Sequence, residues 1–264
     1  MSDINKMTLK KNVKSRLIRF SQGLRRFKKT GIGIFFLLPL LFSGNNANAT
    51  HMMGADITYK CLDSFRFEVT VQIYRDCRGI PFTLRANDFV VRCSNGSSMN
   101  ITMTRQSIKE ITPLCATAAA KCNPVNQRAG DGVEQHTYTV ILDFNRAPLS
   151  SLKNCSGKIV MEVGQCCRNG AINTGATGDF TTYAEIDLNK APCNSSPSLT
   201  SEPIAILCCN QPFFFNNGAS DITDFDSLSY SWAPPKGSSI NQNLSYSGQN
   251  YAYNHPFQAF YPGS

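Results

Sequence analysis

Apolar and polar residues alternate with a period of two along much of this chain. In FRFEVTVQIY, Phe65, Phe67, Val69, Val71 and Ile73 fall on one side, and Arg66, Glu68, Thr70 and Gln72 on the other. Successive side chains of a strand point to opposite faces, so this run predicts a half-buried strand. YTVILDF repeats the pattern through Tyr138, Val140, Leu142 and Phe144, and FTTYAEIDL through Phe180, Thr182, Ala184, Ile186 and Leu188. DITY, DFVVRC, NITMT, KIVMEV, IAILCC and SLSYSW are shorter candidates, separated by the turn clusters DCRGIP, CSNGSS, RAGDG and RNGAINTGATG. No segment after residue 50 shows a convincing helical stripe. SIKEITPLCATAAAK has room for a helical turn or two, but Pro113 interrupts it. Many strands divided by turn signals predict an all-β sandwich.

The first 49 residues break this pattern. Ten basic residues and one acid, Asp3, precede the apolar run Ile32 to Phe42, and Ala47-Asn48-Ala49 follows. A positive segment, a short apolar segment and an A-x-A site describe a secretory signal peptide, with cleavage expected after Ala49. A membrane-spanning helix needs about 20 apolar residues, and Gly33 and Pro39 interrupt this run. The mature chain is therefore expected to carry no membrane span. Residues 50–193 read as the sandwich domain and NSSPSLTSEP, residues 194–203, as a linker. Residues 204–264 read as a second β-unit that is small or truncated, because a sandwich needs roughly 100 residues. The reading favours a piece of something longer.

Charge changes meaning once the leader is set aside. The full chain is +8, but ten of its 26 basic residues and one of its 18 acids lie in the leader. The 16 basic and 17 acidic residues that remain give a net of −1. A nucleic-acid surface would need a clustered basic patch, and none follows residue 50, so no nucleic-acid partner is expected. All eleven cysteines lie in the mature part: Cys61, Cys77, Cys93, Cys115, Cys122, Cys155, Cys166, Cys167, Cys193, Cys208 and Cys209. With an export signal they predict disulfides, each adding roughly 2–4 kcal/mol. The odd count leaves one thiol over, or one bridge to a partner or to an absent part of the chain. The adjacent pairs Cys166-Cys167 and Cys208-Cys209 are expected to bond outward, because a ring between neighbours forces the Cα atoms to the short end of disulfide geometry. With no C-x-x-C pair and only His51, His136 and His255, a zinc site is the weaker reading.

Candidate chemistry is sparse. Asp221, Asp224 and Asp226, with carbonyls of Asn216 and Asn217, offer the hard oxygens that Ca²⁺ takes. Phe225 stands where an EF-hand-like loop would have its glycine, and the same residues are ordinary turn formers. His51-Met52-Met53 would suit copper only as an N-terminal clamp, which cleavage before Thr50 removes. Met52 and Met53 read instead as the start of a strand. Arg75 and Asp76 are adjacent on a strand and point to opposite faces. A structural role near a disulfide is therefore expected rather than acid–base work. No G-x-S-x-G or phosphate loop occurs. The aromatics Phe213 to Phe215, Trp232, Tyr251, Tyr253, Phe257, Phe260 and Tyr261 read as core or inter-domain contact, with a sugar-stacking platform as the alternative.

Five blocks in order, THMMGADITYKC, VQIYRDCRG, QCCRNGAI, CNSSPSLTSEPIAILCCNQP and NNGASDITDFDSLSYSW, resemble the N-terminal region of large secreted Bacteroidota surface proteins. Those proteins carry PKD-like or Ig-like repeats and often end in a gliding-motility-associated sorting domain. The match runs from His51 to Tyr59, with Ala55 at a usual glycine. It continues through Tyr74 to Cys77, Cys166 to Asn169 and Asn210 to Pro212. It departs at Asp221 to Tyr230, which is one residue longer than the family's D-x-D-G-D-S-L-x-Y. The resemblance implies an Ig-like or PKD-like sandwich that is secreted and surface-associated. It further implies a structural or adhesive role tied to adhesion or gliding, with a surface polysaccharide or protein as ligand, and with no enzyme activity or cofactor beyond the possible Ca²⁺. The alternative is a glycan-binding accessory module of a secreted hydrolase.

Overall fold

The computed structural model describes residues 52–77, 79–112, 122, 132–169, 174, 178–203, 216, 218–247 and 251–254. The leader, His51, Cys115, IAILCC, Phe213 to Phe215, Asn217, His255, Phe257, Phe260 and Tyr261 lie outside them. Ten strands are described. They are β1 (Met52–Asp63), β2 (Arg66–Asp76), β3 (Phe89–Cys93), β4 (Ser98–Asn100), β5 (Thr104–Glu110), β6 (Val133–Asp143), β7 (Ile159–Gln165), β8 (Phe180–Ile186), β9 (Ser198–Leu199) and β10 (Ala219–Ser220). Apart from one 3-10 turn at Leu149–Leu152, the described residues are all-β, and none of their helices is long and apolar enough to cross a membrane.

Two four-stranded antiparallel sheets are ordered β1-β2-β6-β5 and β4-β3-β7-β8. Lettered in chain order, this is ABED against C′CFG, the immunoglobulin-like arrangement with one strand added beside C. The alternation in the sequence explains why the sheets face each other. Phe67, Val69, Val71 and Ile73 of β2 and Tyr138 and Leu142 of β6 meet Phe89, Val91, Ile159, Met161 and Val163 of the other sheet, all nearly inaccessible. Burying each side chain of this size stabilises by about 1.5–3 kcal/mol. Phe65 leaves the expected strand. It sits in the β1–β2 turn with φ +63, because the hairpin closes between Asp63 and Arg66.

The eight described cysteines form four bridges. Cys61–Cys193 and Cys93–Cys155 brace one end of the sandwich, and Cys77–Cys122 and Cys166–Cys167 lie at the other. The expectation that Cys166 and Cys167 bond outward is overturned. They are joined to each other with their Cα atoms 3.1 Å apart, in a bend pinned to β1. Met52 N–H donates to Cys167 O at 2.9 Å, and Asn169 N–H donates to Met52 O at 3.1 Å. These bonds keep both residues local instead of letting either swing toward another strand.

Residues 194–203, read as a linker, are fixed to β1. Ser196 Oγ accepts from Tyr59 N–H at 2.9 Å, and Ser195 Oγ accepts from Cys61 N–H at 3.2 Å. The strands β9 and β10 then form their own small ladder. SLSYSW does not become a strand: residues 227–232 make no ladder, and Tyr230 and Trp232 are 67% and 68% exposed. In the fold described, those two aromatics are not core.

Candidate functional site

Immunoglobulin-like sandwiches gather the B–C and F–G loops at one end. Here that end is the connection from β2 to β3, residues 79–88, and the end of β7 with the start of β8. An open groove of about 460 Å³ lies between them, within the roughly 300–1,000 Å³ of small-ligand sites. Its floor is the outer face of the second sheet, at Val90, Glu162 and Gly164. Its walls are Ile80 to Thr83 on one side, Gln165, Cys166 and Asp179 on another, and Ser238 on a third.

The loop wall is pinned at several points. Arg75 Nη1 donates to the carbonyls of Gly79 and Ile80. Tyr138 Oη accepts from Leu84 N–H at 3.1 Å, and Asp88 Oδ2 accepts from Arg85 N–H at 2.6 Å. Phe82 and Leu84 plug into the core. The third wall is tied on as well. Thr181 Oγ1 donates to Gly237 O at 2.8 Å, and Arg168 donates to Lys236 O while its guanidinium lies 5.6 Å from the Phe180 ring centroid. A groove built from pinned segments is formed before any ligand arrives, which spares the ordering cost of binding.

Behind the loop, Arg75, Glu134 and His136 form a buried cluster. Arg75 Nη2 and Nε reach Glu134 Oε2 at 2.6 and 3.1 Å, and His136 Nε2 lies 3.1 Å from the same oxygen. Burial pushes the Glu134 carboxyl up, but Arg75 and His136 outweigh it and hold the group below the usual range. Burial pulls His136 below its ordinary value despite Glu134. The ring is 2% exposed, stands edge-on to Phe82 at 5.7 Å, and leaves Nδ1 without a partner. The cluster faces the core, so its work is positional, in line with the structural reading of Arg75.

A pH dependence follows. The folded pKa of His136 lies below its unfolded value of about 6.5, so the unfolded chain binds more protons in that window. Stability is full above about pH 6.5 and declines as pH falls toward the folded pKa. Glu134 adds a second loss below about 4.5, its unfolded value. Thermal melts across this range are expected to show both slopes, and His136→Gln to remove the upper one and, because His136 helps hold Glu134 down, to weaken the lower one.

The acidic trio does not converge. Among the described residues, triads of ligand-type atoms within 4.8 Å of one another are Cys77, Cys122 and Glu134, and Cys166, Cys167 and Asp179. Their cysteines are tied up in disulfides. Asp224 Oδ2 instead accepts from Ser195 N–H, Asp226 Oδ2 from Asn194 Nδ2 at 3.1 Å, and Asp221 Oδ1 from Asp224 N–H at 3.0 Å. These bonds fasten the loop to the segment after Cys193. Met52 begins β1 as expected, 2% exposed.

Hydrophobic alternation misses the groove, because its floor lies on the sheet face turned away from the core and much of its wall is loop. One signal was available: a glycine inside a strand marks a bulge or the close approach of a ligand or backbone, and Gly164 sits inside KIVMEVGQ. Compared with known proteins, the chain matches no family model, no curated protein and no solved structure.

Proposed function

We propose that the chain is an exported cell-surface module that works by adhesion, through the groove at its loop end, and carries out no chemistry of its own. The observation that carries the reading is the placement of that groove. It lies between two loops of an immunoglobulin-like sandwich, pinned in advance, with disulfides at both ends of the scaffold. Recognition on loops held by a rigid frame is a recurrent use of such sandwiches. The leader-like first 49 residues and the bridges support an oxidising location. His136, the one histidine among the described residues, is buried against Glu134, and the described cysteines are bonded, which supports a binding role over a catalytic one.

Protease treatment of intact producing cells is expected to degrade the chain, and cells lacking it are expected to lose attachment to the surface they colonise. Full attachment by the deletion strain, or a chain protected until the cells are lysed, would defeat the reading.

A further inference from the structure

We propose that the groove is a subsite for a neutral oligosaccharide, read by side chains at the loop end. The inference rests on the adhesion reading and names the class of its ligand.

The backbone of the floor is already in use. Val90 lies on β3, which pairs with β4 and β7, and Gly164 lies on β7, which pairs with β3 and β8. No free strand edge lies there, so a peptide cannot bind the floor by adding a strand. Recognition falls to the side chains, and these offer both hydrogen-bond senses. Gln165 Nε2 is buried and has no partner. Asn87 accepts from Asn100 through Oδ1, which leaves its amide N–H groups to donate. Carboxylates of Glu162 and Asp179 stand on the accepting side. A sugar hydroxyl both donates and accepts, so a polyol answers such a mixed set.

Charge narrows the class. Among the described lining residues, Asp88, Glu162 and Asp179 stand against one cation, Arg85. Arg92 offsets the charge of Glu162, at 2.8 Å. With Arg92 set against Glu162, the acidic excess that remains is small; it disfavours phosphates and acidic sugars at short range and leaves neutral rings favoured. Apolar wall is present for the C–H face of a ring in Ile80, Pro81 and the bonded pair at Cys166.

Depth comes from a missing side chain. Val163 faces the core, so a Cβ at residue 164 would stand on the outer face. It would find Thr181 Oγ1 at 3.5 Å and the carbonyl of Phe180 at 4.0 Å, ordinary contact distances. Alanine therefore fits, and a large side chain would fill the groove while its Cβ is tolerated.

The test uses the exported chain purified from its producing cells, probed with neutral gluco-, manno-, galacto- and xylo-oligosaccharides and with acidic ones. Saturable binding of a neutral oligosaccharide is expected. Gly164→Phe should abolish it and Gly164→Ala should keep it. Gln165→Leu should weaken it by about tenfold, as for one lost hydrogen bond in a closed site. Lys190→Ala, at the opposite end, should leave it unchanged. If Gly164→Phe fails to fold, Gln165→Leu decides alone. Preference for acidic sugars, no neutral sugar bound, or binding indifferent to both groove variants would overturn the proposal. If Gly164→Phe cells lose attachment although no saccharide binds, the ligand is a protein. The adhesion reading then stands and the saccharide falls.

Discussion

A chain carrying Cys61→Ser and Cys193→Ser together is expected to lose about 4–5 kcal/mol of folding stability under oxidising conditions. The bridge joins residues 132 apart, so its loop contains nearly every strand of both sheets. Loop-closure entropy grows with the logarithm of loop length. Cys93–Cys155 and Cys77–Cys122, separated by 62 and 45 residues, should each be worth somewhat less by the same account. The location adds to the effect. Cys61 is on β1, an edge strand whose only ladder among the described residues is with β2. The chain after Cys193 touches that strand through Ser195 and Ser196. Both cysteines must be replaced, since a single serine leaves a thiol free to mispair. Urea denaturation followed by circular dichroism reads the change. A loss below about 1 kcal/mol would mean that the unfolded chain is already confined without the bridge.

Strands buried on one face were the legible part of the fold. β2, β6 and β8 announce themselves because core and solvent sort their residues by parity. Ile73 is inaccessible, whereas Ile141, facing the other way on β6, is 50% exposed. β5 was invisible for the complementary reason. TRQSIKE is an edge strand exposed on both faces, so nothing selects alternation there, and its second half, from Ser107, reads in the sequence as the start of a helical turn. NITMT failed as one strand because Asn100 closes β4 and Thr104 opens β5, with buried Met103 between them. The sheet order was beyond reach, since pairing is set by contacts distant in sequence.

The site was less legible than the fold. Period-two reasoning spends its attention on the inner face, while the groove is made of outer-face residues, loop residues and the absent side chain of Gly164. The adjacent cysteines misled for a local reason. Their bend is held by hydrogen bonds from Met52 and Asn169, and residue 52 is more than a hundred positions away in sequence. The acidic trio reads as a calcium loop by composition, yet its carboxylates are turned to three different donors. Arg75 was legible as structural, but its partners were not. Glu134 and His136 lie on β6, and the register that places Arg75 opposite Glu134 appears only once the ladder is known.

Arg75→Met is expected to cost about 3–5 kcal/mol, because it strands a largely buried carboxylate. Glu134 would keep only His136, and the carbonyls of Gly79 and Ile80 would lose their donor. Ile80 itself lines the groove, so ligand affinity should fall together with stability. Arg75→Lys should be intermediate, since an ammonium cannot reproduce the planar fork that reaches Glu134 and the two carbonyls at once. The decisive variant is Arg75→Met combined with Glu134→Gln. Removing the stranded charge should return a good part of the loss, so the double variant melts above the single one. Its stability then recovers while the loop, still without its anchor at Gly79 and Ile80, continues to bind poorly. A double variant no more stable than Arg75→Met would show that the loop carbonyls, and not the buried carboxylate, account for the penalty.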